Sequence, residues 1–572
     1  MRPLVAFISV LLLSACAGPL ARGPASAPVE IGIIAINDFH GNLEPPQGAS
    51  LATGSPAATV GGAATLAAAI DWIRASQPYS VTVSAGDLIS ASPLVSSLYL
   101  DEPTIGAMDR IGLEFNAVGN HEFDRGQAEL LRMQNGGCEQ HTLREPCRVE
   151  RFEGANFRFL SASTYSEDGK TLFPATGIKR FETPAGPVSI GFVGLTLRDT
   201  YRLVSPQGIA GLTFGDEADA INRAVPTLRA QGADAIAVLI HEGGAQAGGS
   251  DPNACDGLEG PIMGIVDRLA PEVDLVVSGH THRAYVCDLP RENSDRPLLL
   301  TSAGSYGRLV TRITLTVDPR GDRVIATKAR NIVVQSRPAP VDPGDIPATD
   351  DDPVFSPRSD IAAYIATYAD AARDFALRPV GKVSSAAARR EDGSGGPLGN
   401  LVADAQLAAT RSAGAQIAFT NPGGLRAPLQ PSADGLVTFA QLYAVQPFGN
   451  QLVTQTLSGS AIRSLLEQGI DEDGPRQLLS PSAGFTYTVD PARPSGSRIV
   501  AIRLNGVPLN PQASYRVTTN AFLAYGGDGF TALTERHDAV VGVTDIEALE
   551  QWVAAASVLV VPEDQRVTDR PR

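Results

Sequence analysis

Five apolar runs in the first half of this chain each stop at a short polar turn, and this repeated strand-to-turn pattern constrains the fold more than any other feature. Val29 to Ile36 stops at Asn37-Asp38-Phe39-His40-Gly41, and Ser80 to Ser84 leads into Gly86-Asp87. Phe115 to Val118 stops at Gly119-Asn120-His121-Glu122-Phe123-Asp124, Ala235 to Ile240 at His241-Glu242-Gly243-Gly244, and Val273 to Ser278 at Gly279-His280-Thr281-His282. Such runs read as strands buried on both faces. Helix-like stretches lie between them, among them Ala63 to Ala75 and Phe214 to Gln231. The alternation predicts a layered α/β fold with the turns along one sheet edge, at the carboxyl ends of the strands, where such folds gather ligands.

Those turns also hold the polar chemistry. The chain has only 7 histidines, and His40, His121, His241, His280 and His282 all fall in the turns. Imidazoles, carboxylates and an amide, without thiolates, suit a pair of divalent, borderline-hard cations better than a thiolate zinc site. At 572 residues the chain exceeds one ordinary core, so two domains are expected. A hydrophobic fraction of 43% with 19% charged residues is globular composition. The net charge of −16 argues against a nucleic-acid polymer as main partner, because a phosphate backbone needs a basic surface. A small phosphorylated ligand needs only a local cationic site.

Residues 1–16 read as an export signal: Met1-Arg2, the apolar Leu4 to Leu13, then Ser14-Ala15-Cys16. The apolar run is shorter than the ~20 residues of a membrane-spanning helix. Small residues before a cysteine resemble the bacterial lipobox, which would leave Cys16 as a lipid-anchored N-terminus. An ordinary signal peptide cut nearby is the alternative. Ala17, in place of an aspartate, favours the outer membrane by what is known of such signals. Setting Cys16 aside leaves Cys138, Cys147, Cys255 and Cys287. Export implies an oxidising compartment, and local order favours Cys138–Cys147 and Cys255–Cys287 as pairs, four free thiols being the alternative.

Residues 17–28 read as an Ala/Pro/Gly tether and 29–337 as the first domain. Pro and Asp then dominate, marking a linker within 338–378 that ends in an amphipathic helix, Ser359 to Leu377, capped by Ser359 or Asp360. A second domain, 379–561, alternates strands (Gln451 to Leu457, Phe485 to Val489, Ile499 to Leu504, Ser514 to Thr519) with helices (Gly399 to Ser412, Gly459 to Gln468, Asp545 to Ala556), and 562–572 is a tail.

The turns in order, Asp-x-His, Gly-Asp, Gly-Asn-His-Glu, His and Gly-His-x-His, resemble the signature of the calcineurin-like metallophosphoesterases across about Val29 to Arg337. The resemblance implies a four-layer β-sandwich flanked by helices. It also implies that Asp38, His40 and His282 hold one metal, that Asn120, His241 and His280 hold the other, and that Asp87 bridges them. The ions could be Zn, Mn, Co, Fe or Mg. A bridging carboxylate holds two cations ~3.5–4 Å apart, so that a shared hydroxide can attack phosphorus in line. His121 would protonate the leaving oxygen or stabilise the transition state, with Asp124 on its other ring nitrogen. Glu122 is expected to serve local structure.

Four later segments extend the resemblance to the secreted 5′-nucleotidase family, including bacterial UDP-sugar hydrolases, over nearly the whole mature chain. They are Pro397 to Ala405, Asn421-Pro422-Gly423-Gly424-Leu425-Arg426, Gln446 to Asn450 and Asn520 to Phe530. Two phenyl rings can sandwich a purine, a carboxylate can accept from ribose hydroxyls, and an arginine fork can hold phosphate. The resemblance assigns Phe448 and Phe522 to the base, Asp528 to ribose, and Asn421, Gly424 and Arg426 to the substrate. A further phosphate-binding arginine falls at Arg389 or Arg390, a choice blurred by the Gly-rich stretch Glu391 to Gly396, and Arg390 is taken as the candidate. The C-terminal part is thus an expected α/β substrate-binding domain that swings on the linking helix. The expected activity is hydrolysis of nucleoside 5′-monophosphates. UDP-sugars, NAD, nucleoside di- or triphosphates and 2′,3′-cyclic nucleotides are the nearest alternatives. Thiosulfonate hydrolysis, or a non-catalytic nucleotide-binding lipoprotein, stands further off.

Overall fold

The computed structural model of the chain describes residues 27–46, 59–142, 144–247, 251–291, 294–318, 323–336, 353–390, 392–470, 476–535 and 537–569. The signal segment with Cys16, most of the tether, residues 338–352 of the linker and the last three residues of the tail lie outside the described residues.

The N-terminal domain is built on two six-stranded sheets. In one, the strand order is Arg323–Val333, Leu309–Asp318, Val29–Ile36, Ser80–Ser84, Phe115–Ala117 and Arg158–Leu160. In the other it is Ala284–Arg291, Ser294–Ala303, Leu275–Ser278, Ala235–His241, Gly186–Thr196 and Thr176–Thr183. The sheets face each other through Ile31, Ile33, Val81, Val83 and Phe115 on one side and Ile190, Phe192, Ala237, Leu239 and Val277 on the other. Helices Ala63–Ser76 and Glu102–Ile111 cover the outer face of the first sheet, and Glu217–Ala230 covers that of the second. The result is the helix–sheet–sheet–helix layering expected of the family. The strands at the centre of both sheets are buried on both faces, which is why they read as unbroken apolar runs.

Three local expectations are corrected. The helix proposed from Phe214 starts at Glu217, because the Asp216 carboxylate accepts the N–H of Asp219 as an N-cap and Phe214 instead pairs, with Thr213, against Thr164–Tyr165. The connecting helix spans Ser359–Ala376 with Arg358 at its N-cap position, so neither Ser359 nor Asp360 caps it. The Arg358 guanidinium pairs with Asp360 and with Asp71 of the N-terminal domain, which fixes the entry to the helix. The turns, finally, do not lie on one sheet edge. Asp38, Asp87 and Asn120 follow strands of the first sheet, and His241 and His280 follow strands of the second, so they meet across the rim of the sandwich.

The C-terminal domain carries a five-stranded sheet ordered Ser480–Pro481, Ile417–Thr420, Ser514–Asn520, Gln451–Ser458 and His537–Thr544. Helix Gly396–Thr410 packs with Asp545–Ala555 in one core, and Gly459–Gln468 packs in another. The connecting helix buries Ile361, Ile365, Tyr368 and Ala372. Its last turn reaches the second domain through Phe375, whose ring centre is 4.6 Å from that of Phe439. Cys138–Cys147 and Cys255–Cys287 are both disulfide-bonded, as local order suggested. Among the described residues no helix is long and apolar enough to cross a membrane.

Candidate active site and metal centre

The rim of the sandwich brings the predicted ligands together in two groups. Asp38, His40 and His282 form one, and Asp87, His241 and His280 the other; within each, one ligand atom per residue lies within 4.8 Å of the rest. Asp87 stands between them: its Oδ2 is 3.0 Å from His241 Nε2 and 3.6 Å from His40 Nε2. Asn120 joins the second group, its Oδ1 3.1 Å from His280 Nδ1.

Local backbone explains why these turns need these residues. Asp38, His40, Asp87, His280 and His282 all have left-handed φ, between 46° and 70°. Each such non-glycine residue costs about 1–3 kcal/mol, and such strain clusters at functional sites. Two glycines are required by close approach: a Cβ on Gly119 would lie 2.2 Å from Asp87 Oδ1, and one on Gly279 would lie 2.9 Å from Asp38 Oδ2. Backbone carbonyls set the imidazole tautomers. His40 Nδ1–H donates to the Ser90 carbonyl and His241 Nδ1–H to that of Ala85, each at 2.9 Å, which turns both Nε2 lone pairs into the site.

The donor set fits divalent cations. His241 Nε2 is buried, with Asp87 Oδ2 beside it at 3.0 Å, so an imidazole and a carboxylate converge on one point. His40 Nε2 and His282 Nε2 face each other at 3.2 Å, so that one cation can take both ring nitrogens. Burial pushes His40 well below its ordinary pKa, and burial with the neighbouring His241 takes His280 down to about 4, so both are neutral as ligation requires. Burial works against the Asp87 carboxylate, but His241 and His121 outweigh it and hold it well below the usual range.

Around the ligands lie residues that hold them. The buried Glu122 carboxylate accepts the backbone N–H groups of Asp87 (2.9 Å), Leu88 (2.8 Å) and Gly119 (2.8 Å), tying two ligand-bearing turns together. Asn37 Nδ2 donates to Asp38 Oδ2 at 2.8 Å. Tyr306 was not picked out from the sequence. Its N–H donates to the Asp38 carbonyl, and its ring lies 5.9 Å from His40 and 5.3 Å from His282. The signal was present: Leu298 to Ala303 is another apolar run that stops at a glycine, Gly304.

His121 sits at the mouth of the centre. Its backbone N–H donates to Asp87 Oδ1, and its Nδ1 is 2.8 Å from Asp124 Oδ2. Burial disfavours the imidazolium, but Asp124 and Asp87 overcome it and raise the pKa. Facing it from the C-terminal domain is Phe448, its ring 5.9 Å away and tilted by only 14°. The Arg426 guanidinium lies 5.9 Å from the centre of the same Phe448 ring, and its charge reaches His40, His121 and Asp528. Asn421 Nδ2 donates to Asp528 Oδ2 at 2.7 Å, and Gly424 packs beside Asn421, where a Cβ would lie 2.9 Å from its Oδ1. Burial raises the Asp528 carboxyl to about 6. Phe522 leans on the C-terminal core and under Gly527.

Arg389 and Arg390 part company in the structure. Arg390 lines a separate small cleft with Ser394, Asn400 and Arg566. Arg389 donates to the Pro422 carbonyl and lies close enough to Arg426 and Tyr306 to feel their charge, so Arg389 is the arginine on the side of the site. The Gly-rich stretch that follows hid this in the sequence.

Residues 31–284 match the family model of calcineurin-like phosphoesterases, and residues 374–535 match that of the 5′-nucleotidase C-terminal domain. The chain belongs to the calcineurin-like phosphoesterases that carry a 5′-nucleotidase C-terminal domain. They are a family of metal-dependent phosphoester hydrolases. This phosphoesterase is 29% identical to endonuclease YhcR of Bacillus subtilis over 92% of its own chain, and it spans only 40% of that protein. It is 24% identical to the 5′-nucleotidase of Bos taurus over 95% of this chain and 92% of that one. The crystal structure of the 5′-nucleotidase precursor from Thermus thermophilus matches with a TM-score of 0.76 at 26% identity, covering 95% of this chain and 99% of that one.

Proposed function

We propose that this phosphoesterase is an exported 5′-nucleotidase that converts nucleoside 5′-monophosphates to nucleoside and phosphate. The observation that carries the reading is the apposition of Phe448 and Arg426 of one domain to His121 of the other. An aromatic face for a base, a fork for phosphate and an imidazole for the leaving oxygen then lie close together. Asp38, His40 and His282 would hold one divalent ion and Asn120, His241 and His280 the other, with Asp87 between. When bound, the ions would acidify a water and neutralise charge on phosphorus. His121, kept oriented by Asp124, would give a proton to the departing ribose oxygen. Arg426, with Arg389, would hold the phosphoryl oxygens. Asp528, oriented by Asn421, would accept the ribose hydroxyls, and Phe448 and Phe522 would flank the base.

A second reading covers longer substrates such as UDP-sugars, NAD or nucleoside di- and triphosphates. It is favoured by a cavity of about 720 Å³ that adjoins the site and is lined by Asn42, Tyr306, Arg308 and Arg426. That volume is ample for the second half of a pyrophosphate-linked molecule. Phosphate release across such a panel, by wild type and by Phe448→Ala, separates the readings. The first expects AMP to be the best substrate and Phe448→Ala to raise its KM. A wild type that cleaves only a pyrophosphate or a phosphodiester overturns it. The two disulfides support an oxidising compartment, and the lipid anchor on Cys16, with an outer-membrane location, is part of the same proposal.

A further inference from the structure

The disulfide-stapled segment between Cys138 and Cys147 touches more than its own domain. At its base, the Cys147 N–H donates to both carboxylate oxygens of Glu102, at 3.0 and 3.1 Å. Arg132, itself buried, bonds Glu102 and Glu129 and so fixes that base to the N-terminal domain. From there Arg144 reaches outward in two directions. One guanidinium nitrogen donates to the Ser97 carbonyl of the same domain. The other donates to the Tyr443 hydroxyl of the C-terminal domain at 2.9 Å, with the guanidinium 5.5 Å over the Tyr443 ring. The Tyr443 hydroxyl in turn donates to the Pro447 carbonyl at 2.7 Å. Pro447 is bonded to Phe448, whose ring faces His121.

We infer that Arg144 and Tyr443 form a domain-spanning latch that positions the Phe448 ring, so that the disulfide-stapled segment sets nucleotide affinity in this enzyme. Arg144 is a positioning residue; it reaches the substrate through Tyr443 and Pro447. The latch works by leverage. Phe448 lies on a turn at the end of a helix, half-exposed at the interface, and the segment that carries it is held from the other domain by a charged donor on a covalently closed loop. Removing the donor frees the turn to sample orientations in which the ring no longer faces His121. The metal centre is untouched, because Arg144 makes no contact with a candidate ligand among its described bonds.

The inference rests on the reading of Phe448 as a base platform, and the test separates the two. Steady-state kinetics are measured on the full chain with AMP and with p-nitrophenyl phosphate, which has no base. Arg144→Ala should raise the KM for AMP roughly five- to tenfold, the scale of one net hydrogen bond, and leave kcat and p-nitrophenyl phosphate hydrolysis within about twofold. Arg144→Lys, which keeps a charged donor, should recover part of the loss. Tyr443→Phe should reproduce it, and the pair should be less than additive, as expected of groups in one network. A double Cys138→Ser, Cys147→Ser variant should show the same rise in KM. Unchanged KM in Arg144→Ala overturns the latch. An equal loss with both substrates also overturns it, since Arg144 would then act on the fold or the metal centre. Wild-type cleavage of p-nitrophenyl phosphate without cleavage of AMP removes the base-platform reading and the latch with it.

Discussion

The candidate metal rim and the proposed substrate wall are built in opposite ways. The rim is over-determined: five candidate ligands sit in strained left-handed backbone, two glycines exist because a Cβ would strike a ligand, and Glu122 ties the turns from beneath. The wall is under-determined: Phe448, Asn421 and Asp528 sit on turns and Phe522 on the four-residue helix Ala521–Ala524, partly exposed or held by one or two side-chain bonds, and the wall meets the rim only across a domain interface. The contrast follows from the tasks. Ligation demands fixed lone pairs at fixed distances, whereas recognition of a base tolerates adjustment and must release a product. Damage to the rim should therefore remove chemistry, and damage to the wall should change affinity.

The largest effect is expected at Asp87. Asp87→Ala should abolish stable metal binding and lower turnover by at least about 10⁴-fold, read from metal content after dialysis and from phosphate release. Retention of two ions per chain in that variant would break the account of the rim. His121→Ala should keep the metal content and lower kcat by roughly 10²–10⁴, the usual worth of a general acid. Near-normal kcat would show its role to be misassigned. Glu122→Ala touches no candidate ligand side chain directly, yet it leaves three backbone N–H groups unpaired in a buried place. It should cost at least about 3 kcal/mol of stability and lower metal affinity about 10–100-fold, seen in denaturant titration and in metal competition.

The wall should respond more gently. The Asp528 carboxyl is raised to about 6, so its ionised, accepting form is lost as pH falls through that value. KM for AMP should climb as pH drops from 7 to 5, by up to about tenfold, and Asp528→Asn should start with a high KM and show no such climb. A pH-independent wild-type KM would remove Asp528 from ribose recognition. The smallest effect sharpens the choice of arginine: Arg389→Ala should raise KM a few-fold, at the low end of a charged contact, while Arg390→Ala should stay within about twofold.

Much of the rim was legible in the sequence because it is made by local rules. A buried strand writes an unbroken apolar run, and a turn that must place a ligand beside a neighbouring backbone writes a glycine next to an aspartate, asparagine or histidine. What was not legible is what depends on packing between distant segments. The sequence shows five strand ends but not that they divide between two sheets, since periodicity says nothing about partners. Phe214 looked helical until pairing with Thr164 and the Asp216 cap took priority. Arg389 and Arg390 are adjacent and chemically identical, and only the path of the following glycines decides which side each guanidinium faces. Arg144 and Tyr443 are 299 residues apart, so no local signal could join them.

The most direct test of the account is a metal titration of the stripped protein against phosphate release from AMP. Protein freed of metal with EDTA is given Mn²⁺, Co²⁺ or Zn²⁺ in steps, with bound metal and activity measured together. The account expects binding to saturate at about two ions per chain and AMP hydrolysis to appear only as the second is filled. Full activity in EDTA, or hydrolysis of AMP that saturates at one ion, would contradict it.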